Sequence, residues 1–345
     1  MGTNPQPMKY TYFSAGFPLV SLIFLVAGHQ VHAQFIPFSQ YQFQPALTNP
    51  ALSSSSEYTQ VALQYRRSGY SEYSHPALSL THPLHTEAGR RYGGVSVTAI
   101  RESLGPGSAY AMSALFGGMS YRLSFSKHHH VAMGLQAAWV HKNVDPEMLR
   151  ADALLAISRF DPTIMAGEQI INSSAHRVSL SVGGVWTWTD TDGRQKTSLG
   201  LAVYDLNQPR YHLQKRNTRS SRQYVVSATW LALERYRFTL TPMARIQHAH
   251  ESGLAVKRDL GDLIYLGAEA AYTAGRQLDN ELGATLLYTS YQSVMLGAHY
   301  KLPEWIFAAS YDFRISTGYG DYTRKAIEFM VAWRVKSARG ARYAG

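Results

Sequence analysis

His128-His129-His130 is the tract of this chain that looks most like a metal site. Three imidazoles in a row suit a soft divalent cation, but alternate side chains of a strand point to opposite faces. At most two of them share a side, and neither a carboxylate nor a Cys stands nearby. A solvated turn running into a strand accounts for the tract better. His248 and His250, followed by Glu251, share a face at i and i+2 and form a weaker transition-metal candidate with the same alternative. Asp190-Thr-Asp192-Gly193 opens like a calcium loop but lacks the downstream acidic ligand, so a hairpin turn explains it. Gly105-Pro-Gly107 is turn chemistry, since no helix and no Lys-Ser/Thr pair follows to cradle a phosphate. No Gly-x-Ser-x-Gly elbow occurs, and no motif supplies nucleophile, base and orienting group together. These residues predict a chain without catalytic side chains, metal or cofactor. Lys215, Arg216, Arg219 and Arg222 cluster after Pro209 and would suit lipopolysaccharide phosphates, an acidic protein or plain solvent.

The elements that must carry these residues are strands. In the run from Trp305 to Ile315, Trp305, Phe307, Ala309, Tyr311 and Phe313 fall on one face. Glu304, Ala308, Ser310, Asp312 and Arg314 fall on the other, with Ile306 the one large apolar intruder. A membrane barrel points such an apolar face at lipid and keeps the polar one in its lumen. The same alternation joins Val131, Met133, Leu135, Ala137 and Trp139, and again Val178, Leu180, Val182 and Trp186. It recurs in Tyr224 to Trp230, Val294 to Tyr300 and Ile327 to Val335. Strands are expected near 57–68, 73–84, 91–102, 110–125, 129–141, 174–189, 194–205, 222–233, 236–250, 260–273, 279–289, 291–302, 304–316 and 325–335. The fold class is therefore all-β: a transmembrane antiparallel β-barrel of about 14 strands in an outer membrane. Gly93-Gly94, Gly117-Gly118 and Gly183-Gly184 lie inside strands, where glycine marks bulges or tight curvature.

Residues 1–33 read as a signal peptide, with Lys9 as the positive region, an apolar stretch from Phe17 to Ala27 and cleavage after Ala33. That implies Sec export, and the apolar stretch is too short to span as a helix. Absence of Cys in an exported chain fits a hydrogen-bonded barrel, as do 23 Tyr, 27 Gly and only 16% charged residues. A mean hydropathy of −0.21 is no objection, because a barrel strand is only half apolar. The net charge of +10 is scattered over loops and strand ends without a Lys/Arg-dense helix, which excludes nucleic acid and favours anionic lipid or an acidic partner.

Residues 34–56 form a Pro/Gln-rich periplasmic lead-in whose three prolines predict an extended path without regular structure. Phe38, Tyr41, Phe43 and Leu47 are too apolar for a free tail, so the segment is expected to pack in the lumen or across its periplasmic mouth. The barrel follows over 57–335, and 336–345 is a basic tail. With a periplasmic N-terminus, the long connections 142–173, 206–221 and 317–324 fall outside and the short turns inside, as in bacterial barrels. A helix is expected in the longest loop, from a capping Asp145 and Pro146 to Ile157.

Three stretches resemble the PorP/SprF family of outer-membrane proteins. Phe38-Ser39-Gln40-Tyr41, Gln44-Pro45-Ala46-Leu47 and Asn49-Pro50-Ala51 resemble its FSQYxFNPxxxNPA opening. Gly200 to Tyr204 with Leu206-Asn207-Gln208-Pro209 resembles its GLSVFHLNQP segment, and Ala309-Ser310-Tyr311-Asp312-Phe313 its SYDF strand. The chain departs in having Gln44 where the family has Asn, and in a final strand that ends Trp333-Arg334-Val335 before the basic tail. The resemblance implies a non-enzymatic component of the type IX secretion and gliding machinery of Bacteroidetes, an anchor or docking barrel. Its implied partners are periplasmic ring or peptidoglycan-linked subunits, or the C-terminal domain of a secreted adhesin. Partner contact is expected at Phe38, Tyr41, Pro45, Asn49, Pro50, Asn207, Gln208 and Pro209. A diffusion channel or small-solute transporter is the alternative, because about 14 strands leave room for a lumen.

Overall fold

The computed structural model describes residues 38–68, 73–104, 108, 110–144, 174–191, 193–211, 218–250, 259–274, 280–290, 293–315 and 325–336. Fourteen strands line up in chain order: β1 (Tyr58–Ser68), β2 (Tyr73–His85), β3 (Arg91–Leu104), β4 (Tyr110–Ser124), β5 (His129–Val144), β6 (Ser174–Thr189) and β7 (Gln195–Tyr204). β8 (Arg222–Trp230), β9 (Phe238–His250), β10 (Asp259–Ala274), β11 (Asn280–Thr289), β12 (Ser293–Lys301), β13 (Trp305–Arg314) and β14 (Ala326–Lys336) complete them. Each pairs antiparallel with its chain neighbours, and β1 pairs with β14 from Tyr58↔Lys336 to Ser68↔Ala326. The ring is thereby closed and every barrel strand has two partners, which removes the exposed edge that an open sheet would carry.

Burial follows the predicted period of two. In β13, Trp305, Phe307, Ala309, Tyr311 and Phe313 are exposed on the outer wall, while Ile306, Ala308, Ser310 and Asp312 are buried inside. Outer-wall residues such as Leu78, Leu135 and Leu286 stand more than half exposed, as a lipid-facing surface requires. No helix among the described residues is long and apolar enough to cross a membrane. The β1 and β14 ends that carry the chain's two ends share one rim with the short turns, and the connections 145–173, 205–221 and 315–325 lie at the other. Inside 205–221, Arg210–Tyr211 pairs with Thr218–Arg219. Leu233–Arg235 extends the β8–β9 hairpin past the first rim. There Glu234 accepts from Lys196 and Arg194, which hold its carboxyl below the usual carboxylate range.

Two expectations need correction. The lead-in is not extended. It coils through a 3₁₀ turn at Tyr41–Phe43, the short helix α1 (Pro45–Thr48) and a second 3₁₀ turn at Pro50–Ser54. Pro45 and Pro50 each open a turn, the position where a missing N–H costs nothing and a fixed φ helps. Of the glycine pairs, two mark no bulge: pairing runs unbroken through Gly117-Gly118 and Gly183-Gly184, while a register shift does fall beside Gly93. The helix expected at 145–157, residues 1–37, Lys215, Arg216, Glu251 and the tail beyond Lys336 lie outside the described residues.

Candidate functional site: a plugged lumen

Residues 38–54 sit inside the barrel, and their side chains explain the hold. Five apolar anchors enter four separate sectors of the wall. Phe38 and Leu47 pack with Ile100, Met112, Ala138 and Val140. Tyr41 packs with Met243, Leu263 and Leu287, its ring 5.7 Å from that of Tyr265 in an edge contact. Phe43 joins Ala62, Met330 and Ile306, the apolar intruder on the lumen face of β13. Ala51 meets Ala132 and Val185.

A charged lock holds the upper end. Arg66 (β1), Asp312 (β13) and Glu328 (β14) converge from three adjacent strands, with Arg66 2.5 Å from Asp312 and 3.1 Å from Glu328. The plug adds to their hydrogen bonding, although Arg66 Nε and Asp312 Oδ1 stay without a partner among the described residues. Backbone N–H groups of Ser39 and Gln40 donate to Glu328 at 2.9 and 3.0 Å, and Gln64 donates to it as well. Ser39 Oγ accepts from Arg66 and donates to Asp312 at 2.7 Å. Buried ions are tolerated only when paired and hydrogen-bonded, so the plug's donors stabilise the cluster and the cluster holds the plug.

The lower end is held by close approach. Asn49 Nδ2 donates to the carbonyls of Gly184 and Leu201 at 3.1 and 2.9 Å, while its Oδ1 accepts from Ala51 N and caps the second 3₁₀ turn. Strand glycines make the room. A Cβ on Gly94 would lie 2.1 Å from Ser53 O, one on Gly134 2.3 Å from Pro50 C, and one on Gly183 2.0 Å from Asn49 Oδ1. Gly94 and Gly134 are the stiffest positions, because their neighbours are backbone atoms that cannot rotate away. Gly134→Val is expected to cost on the order of 1–3 kcal/mol of seating free energy. Residues 38–55 should then be cut by added protease while the barrel keeps its folded gel mobility; equal resistance in variant and wild type would refute the close fit.

The three motif segments meet here. Ser39 of the first touches Asp312 of the third; Leu47 O accepts from Tyr204 Oη of the second at 2.7 Å, and Asn49 bonds Leu201. Of the residues expected to contact a partner, Phe38, Tyr41, Pro45, Asn49 and Pro50 belong to the plug, where all but the half-buried Pro45 are buried. Asn207, Gln208 and Pro209 are not brought to them and lie on the opposite rim. There Asn207 closes the edge of β6 beyond the end of β7, accepting from Leu180 N and donating to Val178 O. Asp205 and Gln208 turn the chain with φ of 53° and 43°. The sequence reading missed Arg66, although its lumen parity on β1 beside Glu328 was a usable signal.

The histidine tract serves its turn: His128 contacts Thr189 O, and His130 contacts Ser124 and Thr189. Another donor set lies below the plug, where Glu269, Glu281 and His299 bring ligand atoms within 4.8 Å of one another. Lys301 already sits 2.5 Å from Glu281, so a divalent cation would have to displace its ammonium.

A family profile described as "Type IX secretion system membrane protein PorP/SprF" matches residues 30–333. No curated protein matches the sequence. Among solved structures, the barrel is similar to the toluene transporter TbuX of Ralstonia pickettii, with a TM-score of 0.51, 13% identity, and 84% of this chain and 92% of that one covered. It is also similar to the CymD monoaromatic hydrocarbon channel, with a TM-score of 0.52, 12% identity, and 85% and 92% covered. At such identity the likeness is one of fold.

Proposed function

The chain belongs to the PorP/SprF family of type IX secretion system membrane proteins, and from that premise we propose that it is a non-enzymatic docking or anchoring barrel of the outer membrane. The observation that carries this reading is the plug. A lumen filled by five apolar anchors and a buried ionic lock leaves the two rims to meet partners. The rim bearing the chain ends exposes Arg90, Lys127, Arg194, Arg235 and Lys336 interspersed with Glu57, Glu87, Glu234 and Glu304, a mixed-charge surface suited to a partner of complementary pattern. Periplasmic subunits of the machinery would dock there, and a secreted surface protein would meet the other rim. Export by a signal peptide cleaved after Ala33 fits this placement, leaving only four residues ahead of Phe38.

The transporter reading draws on the fold of TbuX and CymD, and the buried plug weighs against it. Planar-bilayer recording of the purified wild-type barrel decides between them. The docking reading expects no stable current steps; long-lived open channels would transfer the weight to transport.

A further inference from the structure

The β8–β9 hairpin ends in a turn of two residues, Tyr236 and Arg237, between the paired Arg235 and Phe238. Tyr236 takes the first place, with a φ of 56°. Hairpin turns this short reserve positive φ for Gly, Asn or Asp, and a bulky side chain there is a strained exception. Among the described residues, Tyr236 is the one aromatic residue with positive φ. Burial does not offset that strain, because Tyr236 is 92% exposed.

The surroundings hold this tip in place. At its base Glu234 accepts from Arg194 and Lys196, and Lys196 also lies 3.2 Å from Asp190 across the β6–β7 turn. Arg237 places its guanidinium 5.3 Å over the Tyr236 ring and hydrogen-bonds Tyr272 of β10. Two carboxylates and two cations cancel at the base, so Arg235 and Arg237 set the charge of the tip. A held, exposed aromatic ring between guanidinium groups has the chemistry of an interface hot spot, since little side-chain freedom is lost on contact. Lipid does not call for such a device. Trp188, Trp230, Trp305 and Trp333 already present exposed rings on the outer wall from strand positions, as a membrane interface requires.

We propose that Tyr236 is a docking knob that enters an apolar pocket of a periplasmic protein, with Asp or Glu side chains at the pocket mouth to meet Arg235 and Arg237. The knob rests on the docking reading and names its contact on the rim that bears the chain ends.

Photocrosslinking in native cells tests the proposal, with benzoylphenylalanine in place of Tyr236 or, elsewhere on the same rim, of Lys127. Position 236 should give one protein adduct, and the linked peptide should carry Asp or Glu among apolar residues. Arg235→Glu with Arg237→Glu should cut the yield roughly tenfold or more. Tyr236→Gly relieves the strained φ, so hydrogen exchange at the Leu233–Arg235 amides should be no faster than in wild type. The same variant should lose roughly tenfold or more of the partner retained on purification from native membranes. Tyr236→Phe keeps the ring and should keep the partner. Adducts to lipid alone from position 236, beside protein adducts from position 127, would overturn the knob and leave the docking reading standing. Protein adducts from neither position would overturn both. A yield indifferent to the charge reversal, or a Tyr236→Gly barrel that keeps its partner, would also overturn the knob.

Discussion

Removing residues 38–55 is expected to turn a silent barrel into a conducting one. The wall does not rely on the plug for its own hydrogen bonds: pairing is continuous around the ring, including the closing β1–β14 ladder of eleven partners from Tyr58 to Ser68. A barrel of about fourteen strands is wider than its lumen side chains can fill, and here the facing positions that meet the plug include Gly94, Gly134 and Gly183. With the plug gone, these glycines and the polar Gln64, Gln136, Ser179 and Ser181 would border an aqueous path. Bilayer recordings should show stable steps for the deletion variant and none for wild type. A deletion variant that folds, by gel mobility, yet stays silent would show that something other than the plug closes the lumen.

The second large effect is expected from Glu328→Ala. Glu328 is fully buried and accepts four hydrogen bonds, from Ser39 N, Gln40 N, Gln64 and Arg66. Its loss leaves Arg66 with one carboxylate instead of two and strands both plug amides. Breaking a buried pair in this way costs on the order of 3–5 kcal/mol. Because the barrel ladder is untouched, the cost falls on plug seating, raising the unseated population by roughly 10²- to several 10³-fold. Hydrogen exchange at the Ser39 and Gln40 amides reads this directly and should accelerate by a similar factor. Glu328→Gln keeps one acceptor oxygen and should fall between the two. Exchange as slow in the Ala variant as in wild type would show that the lock does not hold the plug.

The strands were legible because each faces two solvents. Lipid outside and a polar interior impose a period of two, which the chain writes from Val131 to Trp139 and from Ile327 to Val335 without a competing helical pattern. The plug was legible as apolar but not in its shape. Pro45 and Pro50 read as breakers of regular structure, and only the surrounding wall shows that each begins a helical turn. Gly183 misled for the same reason, since the chain it accommodates lies more than 130 residues away in sequence. The ionic lock joins residues up to 289 positions apart, a separation no local pattern reports. Resemblance to a family marked the positions of Ser39, Asn49, Leu201, Tyr204 and Asp312 but not that they touch. Once assembled, the motifs become parts of one interface, and Ile306 turns from an exception on a polar face into part of the seat for Phe43.

The most direct test of the docking role is purification of the chain from native membranes in mild detergent, with mass spectrometry of whatever stays bound. Type IX machinery subunits or a secreted surface protein should be retained, and a charge-reversed rim (Arg194→Glu with Arg235→Glu) should lose the periplasmic ones. A folded, plugged barrel that comes out of native membranes alone would contradict it.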